Sequence, residues 1–139
     1  MIVLIKIVIL ISVVCVLDIL VHEAGHYCMA QLVGLSPDLF VIGRGPAICS
    51  KGKLRLHLIP IWGMVYFADN RLSNAKPYQR RLIALAGPAT NIILGILLIN
   101  ISDSVLFGFF GLFLLMTGVG NLIPIKIAKI RTDGHWAIS

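Results

Sequence analysis

The first 35 residues form an almost continuous apolar segment that carries a His-Glu-x-x-His signature near its end. Apolar side chains dominate residues 2–21 and resume after His26. On a helix, His22 and His26 lie four residues apart on one face, about 6 Å apart at their Cβ atoms. This spacing lets two imidazole nitrogens bind one Zn²⁺ ion. Glu23 projects beside them, where it can accept a proton from water held by the metal.

The composition is that of an integral membrane protein. Of 139 residues, 58% are hydrophobic and 13% are charged, whereas soluble domains are about half apolar and about a quarter charged. The length accommodates about three spans of roughly 20 residues. We therefore predict an all-α polytopic membrane protein with one domain over residues 1–139. Its predicted spans are about 2–35, 80–101 and 105–122, and the first is too long for a cleavable signal peptide.

The segment between the first two spans has a different character. Residues 39–42 form a short apolar run, and residues 54–58 alternate between apolar and polar side chains, as in a half-buried strand. No uncharged run here approaches the 18 residues that a span requires. We predict a small membrane-associated β-ribbon at about 39–67, so that the fold is a three-helix catalytic core with a ribbon between spans one and two.

The basic residues lie in the predicted loops. The net charge is +6, and the loop residues that carry it are Arg44, Lys51, Lys53, Arg55, Arg71, Lys76, Arg80 and Arg81 before span two, and Lys126, Lys129 and Arg131 after span three. Basic loops beside membrane helices indicate the cytoplasmic side and attract anionic lipid headgroups. We expect a multi-pass protein of the cell membrane, with the N-terminus outside and the basic loops and active-site end in the cytoplasm. The expected partner of these charges is the lipid bilayer, and no nucleic acid is expected.

A catalytic zinc site normally has three protein ligands, so the two histidines require a third. The candidate aspartates are Asp18, Asp38, Asp69, Asp103 and Asp133. Asp103 is predicted in a turn on the outer side of the membrane, away from the predicted site. Asp38 and Asp69 lie in the predicted cytoplasmic loops, with no motif around them. Asp133 precedes Gly134, which permits close approach of the backbone. Asp133 is the predicted third ligand, with His135 as its competitor.

Two other polar residues lie inside the predicted spans. Asp18 precedes His22 by one helical turn, so it either orients that imidazole as a hydrogen-bond acceptor or pairs with a buried basic group. Gly87, Asn91 and Gly95 recur every four residues and so share one face of the predicted helix. Close helix packing explains why the two glycines are there. Asn91 should face the bundle interior, where it either supports a substrate backbone or developing oxyanion, or forms a helix–helix hydrogen bond.

Taken in order, these segments resemble the site-2 protease family of intramembrane zinc metalloproteases. The resemblance rests on His22-Glu23-Ala24-Gly25-His26, Gly43-Arg44-Gly45-Pro46, Leu58-Ile59-Pro60-Ile61-Trp62-Gly63-Met64-Val65, Ala86-Gly87-Pro88-Ala89-Thr90-Asn91, Asn121-Leu122-Ile123-Pro124 and Asp133-Gly134. It implies a three-helix catalytic core, Zn²⁺ held by His22, His26 and Asp133, and Glu23 as general base. It also implies a substrate that unwinds from helix to strand before cleavage and pairs with the ribbon.

The resemblance implies a function as well as a fold. The chain resembles a short form of the family, without a PDZ or CBS domain. This resemblance implies hydrolysis of peptide bonds in membrane-embedded or membrane-proximal substrates. In two respects the chain departs from the family pattern. The interval from Pro124 to Asp133 is about four residues longer than usual, and Thr132 stands where leucine is common. The alternative function is a catalytically degenerate metal-binding subunit or scaffold. Glu23 argues against it, because metal binding alone does not require this carboxylate.

Overall fold

The computed structural model describes residues 1–101, 103–127 and 130–138, so the predicted basic residue Lys129 lies outside the described part. In chain order, the elements are α1 (Ile2–Leu32), β1 (Leu39–Lys51), β2 (Leu54–Tyr66), α2 (Pro77–Ile101), α3 (Val105–Leu122), β3 (Lys126–Ile127), β4 (Ile130–Arg131) and α4 (Asp133–Ile138). Three long helices and an antiparallel ribbon thus match the predicted architecture, to which the short C-terminal elements are added.

Helices α1, α2 and α3 are each long and apolar enough to cross a membrane. The third predicted span coincides with α3, and the first two differ only at one end. Helix α1 ends at Leu32 instead of residue 35, because the chain turns into the left-handed region at Gly34, where φ is +81°. Helix α2 begins at Pro77 instead of residue 80. Proline is favourable in a first helical turn because its missing N–H group would have no partner there.

Helix α2 is the central helix and packs against both α1 and α3. A Cβ atom on Gly25 of α1 would lie 2.7 Å from the Ala86 carbonyl oxygen of α2. A Cβ atom on Gly95 of α2 would lie 2.6 Å from the Gly111 carbonyl oxygen of α3. The absence of a side chain at these positions therefore permits the helix backbones to touch. The predicted packing role of Gly95 agrees with this contact.

The ribbon curls back on itself beside α1. Strands β1 and β2 are antiparallel, and Ile42 of β1 pairs with both Leu56 and Gly63 of β2. The curl uses two glycines of β1 with positive φ, Gly43 at +87° and Gly45 at +86°. A Cβ atom on Gly63 would lie 2.8 Å from the Ile19 Cγ2 atom of α1. The last part of β2 is thus held against the first helix.

An ion pair closes the base of the ribbon. The Asp38 carboxylate accepts a hydrogen bond of 2.8 Å from the Ala68 N–H group and pairs with the Arg71 guanidinium. The Ala68 N–H group and the Arg71 side chain hold the pKa of Asp38 below its ordinary value. Asp38 therefore joins the two ends of the ribbon.

The C-terminal part of the chain contains elements that the sequence did not predict. Strands β3 and β4 form a small antiparallel hairpin, which occupies the long interval between Pro124 and Asp133. Helix α4 then begins at Asp133 and packs against α2 and the end of α3. Gly134 lies directly on the Leu122 carbonyl group, and a Cβ atom there would collide with it. The close contact brings the start of α4 to the bundle.

Candidate metal centre

Three donor atoms from distant parts of the chain converge beside α1. The His22 and His26 Nε2 atoms are 3.1 Å apart, and the Asp133 Oδ2 atom lies 2.9 Å from the first and 3.5 Å from the second. Ligands at 2.0–2.1 Å from a tetrahedral Zn²⁺ ion are about 3.3 Å from one another. The triangle of donors is therefore of the size that one zinc ion requires, and two imidazoles with one carboxylate are a donor set typical of catalytic zinc.

The structure thus brings the three predicted ligands together. Their side chains form a group of potential metal ligands in the described part of the chain, and His135 does not belong to that group. His22 and His26 project from the same face of α1, and Asp133 is the first residue of α4.

The ring of His26 is oriented by the backbone of α2. Its Nδ1 atom lies 2.6 Å from the Ile83 carbonyl oxygen. A carbonyl oxygen only accepts hydrogen bonds, so Nδ1 carries a proton, and Nε2 is the ring atom that faces His22 and Asp133. The His22 Nδ1 atom is buried without a hydrogen-bond partner among the described residues.

Asp133 is ionised in this environment. Burial raises its pKa, but the hydrogen bonds and charges of His22 and His26 outweigh that effect and lower the pKa of Asp133 to about 2. A carboxylate must be deprotonated to bind a metal, so the charge state of Asp133 suits a ligand.

Glu23 lies beside the donor triangle without being part of it. Its side chain is 8% exposed and packs on Gly63 of β2, where a Cβ atom would collide with the glutamate side chain. Glu23 also lines a cavity of about 560 Å³, together with His26, Gly63 and Asp133. This volume is within the range of natural ligand pockets. The glutamate thus shares one cavity with the donor residues His26 and Asp133.

Asp18 and Asn91 meet in a polar cluster that joins the three long helices. The Asp18 Oδ1 atom accepts hydrogen bonds from Asn91 Nδ2 at 2.9 Å and from Thr117 Oγ1 at 2.7 Å. The structure pairs Asp18 with these groups instead of with His22 or a basic residue. The Asn91 side chain is fully buried, and its Oδ1 atom has no partner among the described residues. Thr117 was missed by the sequence reasoning, although a hydroxyl group within an apolar span is a recognisable signal.

The comparison with known protein families decides the family. A family model described as peptidase family M50 matches residues 7–107, which is most of the chain. The chain belongs to this family. Family M50 is the family of the site-2 proteases, so the resemblance predicted from the sequence is confirmed. The matched region of this M50 chain contains His22, Glu23 and His26 and ends before Asp133, so the assignment of Asp133 rests on the geometry above.

Several bacterial proteins bearing the name "Putative zinc metalloprotease" are similar to this M50 chain. One from Thermotoga maritima is 42% identical in an alignment of 97 positions that covers 58% of this chain and 19% of the relative. One from Agrobacterium fabrum is 33% identical in an alignment of 120 positions that covers 67% of this chain and 31% of the relative. One from Neisseria meningitidis is 32% identical in an alignment of 123 positions that covers 77% of this chain and 26% of the relative. The chain thus spans about a fifth to a third of the length of these relatives.

Gly87 of this M50 chain borders the candidate metal centre, a position that the sequence reasoning missed. The sequence predicts close helix packing as the reason for a glycine at this position. The structure instead places Gly87 against both histidine rings. A Cβ atom there would lie 2.6 Å from His26 Cε1 and 2.9 Å from His22 Nε2, and it would collide with His26 Nε2. The absence of a side chain at this glycine therefore leaves the space that the two Nε2 atoms occupy.

We expect Gly87→Ala to reduce zinc affinity by at least about tenfold, because the new methyl group must displace one imidazole from the donor triangle. Zinc content after purification and titration with a competing chelator measure the effect. The matched control is Gly95→Ala on the same helix, whose Cβ atom would meet the backbone of α3. This control should lower thermal stability with zinc affinity preserved in the folded fraction. Equal zinc affinity in Gly87→Ala and wild type would contradict the steric role.

Thr132 holds the start of α4 in place. Its Oγ1 atom donates to the Ile123 carbonyl oxygen at 2.6 Å and accepts from the Ile125 N–H group at 2.9 Å. Its carbonyl oxygen accepts a hydrogen bond of 3.1 Å from the His135 N–H group. Thr132, which departs from the family pattern, thus helps to hold Asp133 in position.

Thr132→Val should weaken zinc binding by about tenfold, because the valine leaves the Ile123 and Ile125 backbone groups without the hydroxyl and loosens the position of Asp133. Thr132→Ser keeps the hydroxyl and is expected to bind zinc like the wild type. The same chelator competition compares the two variants. Equal loss in both would contradict the role of the hydroxyl group, because serine keeps it, and no loss in either would remove the positioning role.

Proposed function

We propose that this chain is an intramembrane zinc metalloprotease that hydrolyses peptide bonds of membrane-embedded or membrane-proximal substrates. The observation that carries the proposal is the position of Glu23, a buried carboxylate that lies beside three zinc-compatible donors and lines the adjoining cavity. The family and the three apolar helices support a multi-pass membrane protein with this chemistry.

In this proposal, His22, His26 and Asp133 would hold a zinc ion through Nε2, Nε2 and Oδ2. The bound ion supplies Lewis-acid chemistry, which lowers the pKa of water and polarises the carbonyl group of the substrate. The hydrogen bond from His26 to the Ile83 carbonyl group keeps the imidazole in the required tautomer.

Glu23 acts as the proton carrier. It accepts a proton from the attacking water and then delivers that proton to the nitrogen of the leaving amine, which completes peptide hydrolysis. Packing between α1 and Gly63 holds the carboxylate in position and limits its contact with bulk water. An extended substrate segment is proposed to add to the exposed side of the ribbon, where main-chain hydrogen bonds replace those of its former helix.

The proposed location is the cell membrane, with the N-terminus outside and the ribbon, basic loops and catalytic end in the cytoplasm. The distribution of Lys and Arg around the spans supports this orientation. Nucleic acid has no part in the proposal, because the basic residues lie in the segments between the membrane helices or near the ends of those helices.

Co-expression with candidate single-span substrates tests the function. Wild type should convert the substrate to a shorter product, whereas a Glu23→Gln variant should leave it uncut. A catalytically degenerate metal-binding subunit would leave the substrate uncut in both strains, so the same experiment decides between the two functions.

A further inference from the structure

Two arginines line the cavity that contains Glu23. Arg80 and Arg81 lie in the first turns of α2 and form part of its wall, together with His26 and Asp133. Arg80 is half-buried, and Arg81 is exposed. A guanidinium group in such a wall presents up to five N–H donors in a planar arrangement that suits a carboxylate.

Neither guanidinium group forms a side-chain hydrogen bond or an ion pair with any described residue. Arg71, in the loop before α2, is in contrast paired with Asp38. The two carboxylates that line the cavity form no ion pair with these arginines among the described residues, and Asp133 instead contacts His22 and His26. The cavity therefore offers two positive charges whose counter-charge is not supplied by the described chain.

The arginines lie one turn or less along α2 from Ile83, the residue whose backbone contacts His26. Arg80 precedes Ile83 by three residues, about 4.5 Å along the helix axis, and the Ile83 carbonyl oxygen contacts His26. An extended peptide advances about 3.3 Å per residue. A substrate side chain that reaches Arg80 or Arg81 thus belongs to a residue within about three positions of the cleaved bond.

We propose that Arg80 and Arg81 form a carboxylate-binding subsite that selects peptide substrates with an acidic residue near the cleaved bond. The inference rests on the proposed protease function and specifies its substrate class. An anionic lipid headgroup is the other source of negative charge at a membrane surface. The position of both arginines in the cavity wall beside His26 and Asp133 favours the peptide, whereas the exposed Lys76 lies outside that wall.

The test uses the full chain in nanodiscs and a set of fluorogenic peptides of small and apolar residues with amidated C-termini. Each peptide carries one glutamate at a scanned position, and a matched set carries glutamine at that position. A third set has glutamine and a free C-terminal carboxylate. Wild type should cleave the glutamate peptide faster at one or two positions, by about tenfold in kcat/KM for a bidentate charge-assisted contact. A preference confined to the third set would assign the subsite to the terminal carboxylate and overturn the side-chain form of the proposal.

Arg80→Gln and Arg81→Gln should lower the ratio of kcat/KM for glutamate peptides to kcat/KM for glutamine peptides towards one. Lys76→Gln is the matched control, because it removes an exposed positive charge outside the cavity wall, and it should retain the preference.

Cleavage of glutamine and glutamate peptides at equal rates by wild type would refute the subsite and leave the protease function standing. Cleavage of neither set would refute the protease function and the subsite with it. A loss in the arginine variants that appears only in nanodiscs with anionic lipid, and equally for both peptide sets, would assign the arginines to lipid headgroups.

Discussion

Glu23→Gln is expected to retain zinc and to lose peptide cleavage by about 10²–10⁴-fold, the usual contribution of a general base. Glutamine has nearly the same size and shape as glutamate, so it fits in the same position against Gly63. It cannot accept the proton of the attacking water. Zinc should remain because Glu23 does not belong to the donor triangle of His22, His26 and Asp133. Accumulation of uncut single-span substrate, with zinc content measured on the same purified protein, gives both quantities.

Asp69→Asn is the matched control for this prediction. It makes the same carboxylate-to-amide change at an exposed residue outside the cavity wall, where φ is +55°. Asparagine tolerates this backbone conformation well, so the control should cleave and bind zinc like the wild type. Undiminished cleavage by Glu23→Gln would remove the proposed proton carrier. Loss of zinc in that variant would instead make Glu23 a ligand.

Asp133→Asn is expected to lose zinc, with affinity reduced by more than the roughly 10- to 100-fold that follows loss of an outer hydrogen-bond partner. The amide carries no charge and is a weak zinc donor, so only the two neutral imidazoles would hold the ion. The change also removes the ionic contact of 2.9 Å that ties α4 to His22 of α1. Metal content, chelator competition and thermal unfolding with and without added zinc measure the loss. The wild type should gain thermal stability from zinc, and the variant should not.

Two further variants decide how this result is interpreted. Asp103→Asn changes an exposed aspartate between α2 and α3 and is expected to bind zinc normally. His135→Ala tests the competitor that lies two residues from Asp133, and it should also bind zinc normally. Retention of zinc in Asp133→Asn combined with its loss in His135→Ala would transfer the third-ligand role to His135.

Much of the fold was predictable because local patterns carry it. Long uninterrupted apolar runs predicted α1, α2 and α3 to within three residues at each end. The alternating pattern of residues 54–58 and the absence of a long apolar run predicted the ribbon. The end of α1 at Leu32 was less predictable, since it depends on the left-handed turn at Gly34. The hairpin β3–β4 was not predicted, because two-residue strands have no periodicity that could be recognised.

The interactions of individual polar residues were predicted less well than the helices that contain them. Asp18 lies one turn from His22, so the sequence suggested that pair, yet the carboxylate binds Asn91 of α2 and Thr117 of α3. Hydrogen bonds between helices depend on how the helices are rotated about their axes. That rotation is determined by packing, which at α2 and α3 includes the contact of Gly95 with Gly111.

The sequence by itself determined the two histidines, the adjacent glutamate and the apolar helix that carries them. The spacing of His22 and His26 is a property of a single helix, and so it is independent of the rest of the fold. Only the tertiary structure decided that Asp133, more than 100 residues away, completes a triangle of zinc dimensions, that Gly87 leaves space for it, and that Arg80 and Arg81 line the same cavity. The physical reason is that these contacts join separate elements. Their distances depend on helix packing and on the docking of α4, which no local pattern encodes.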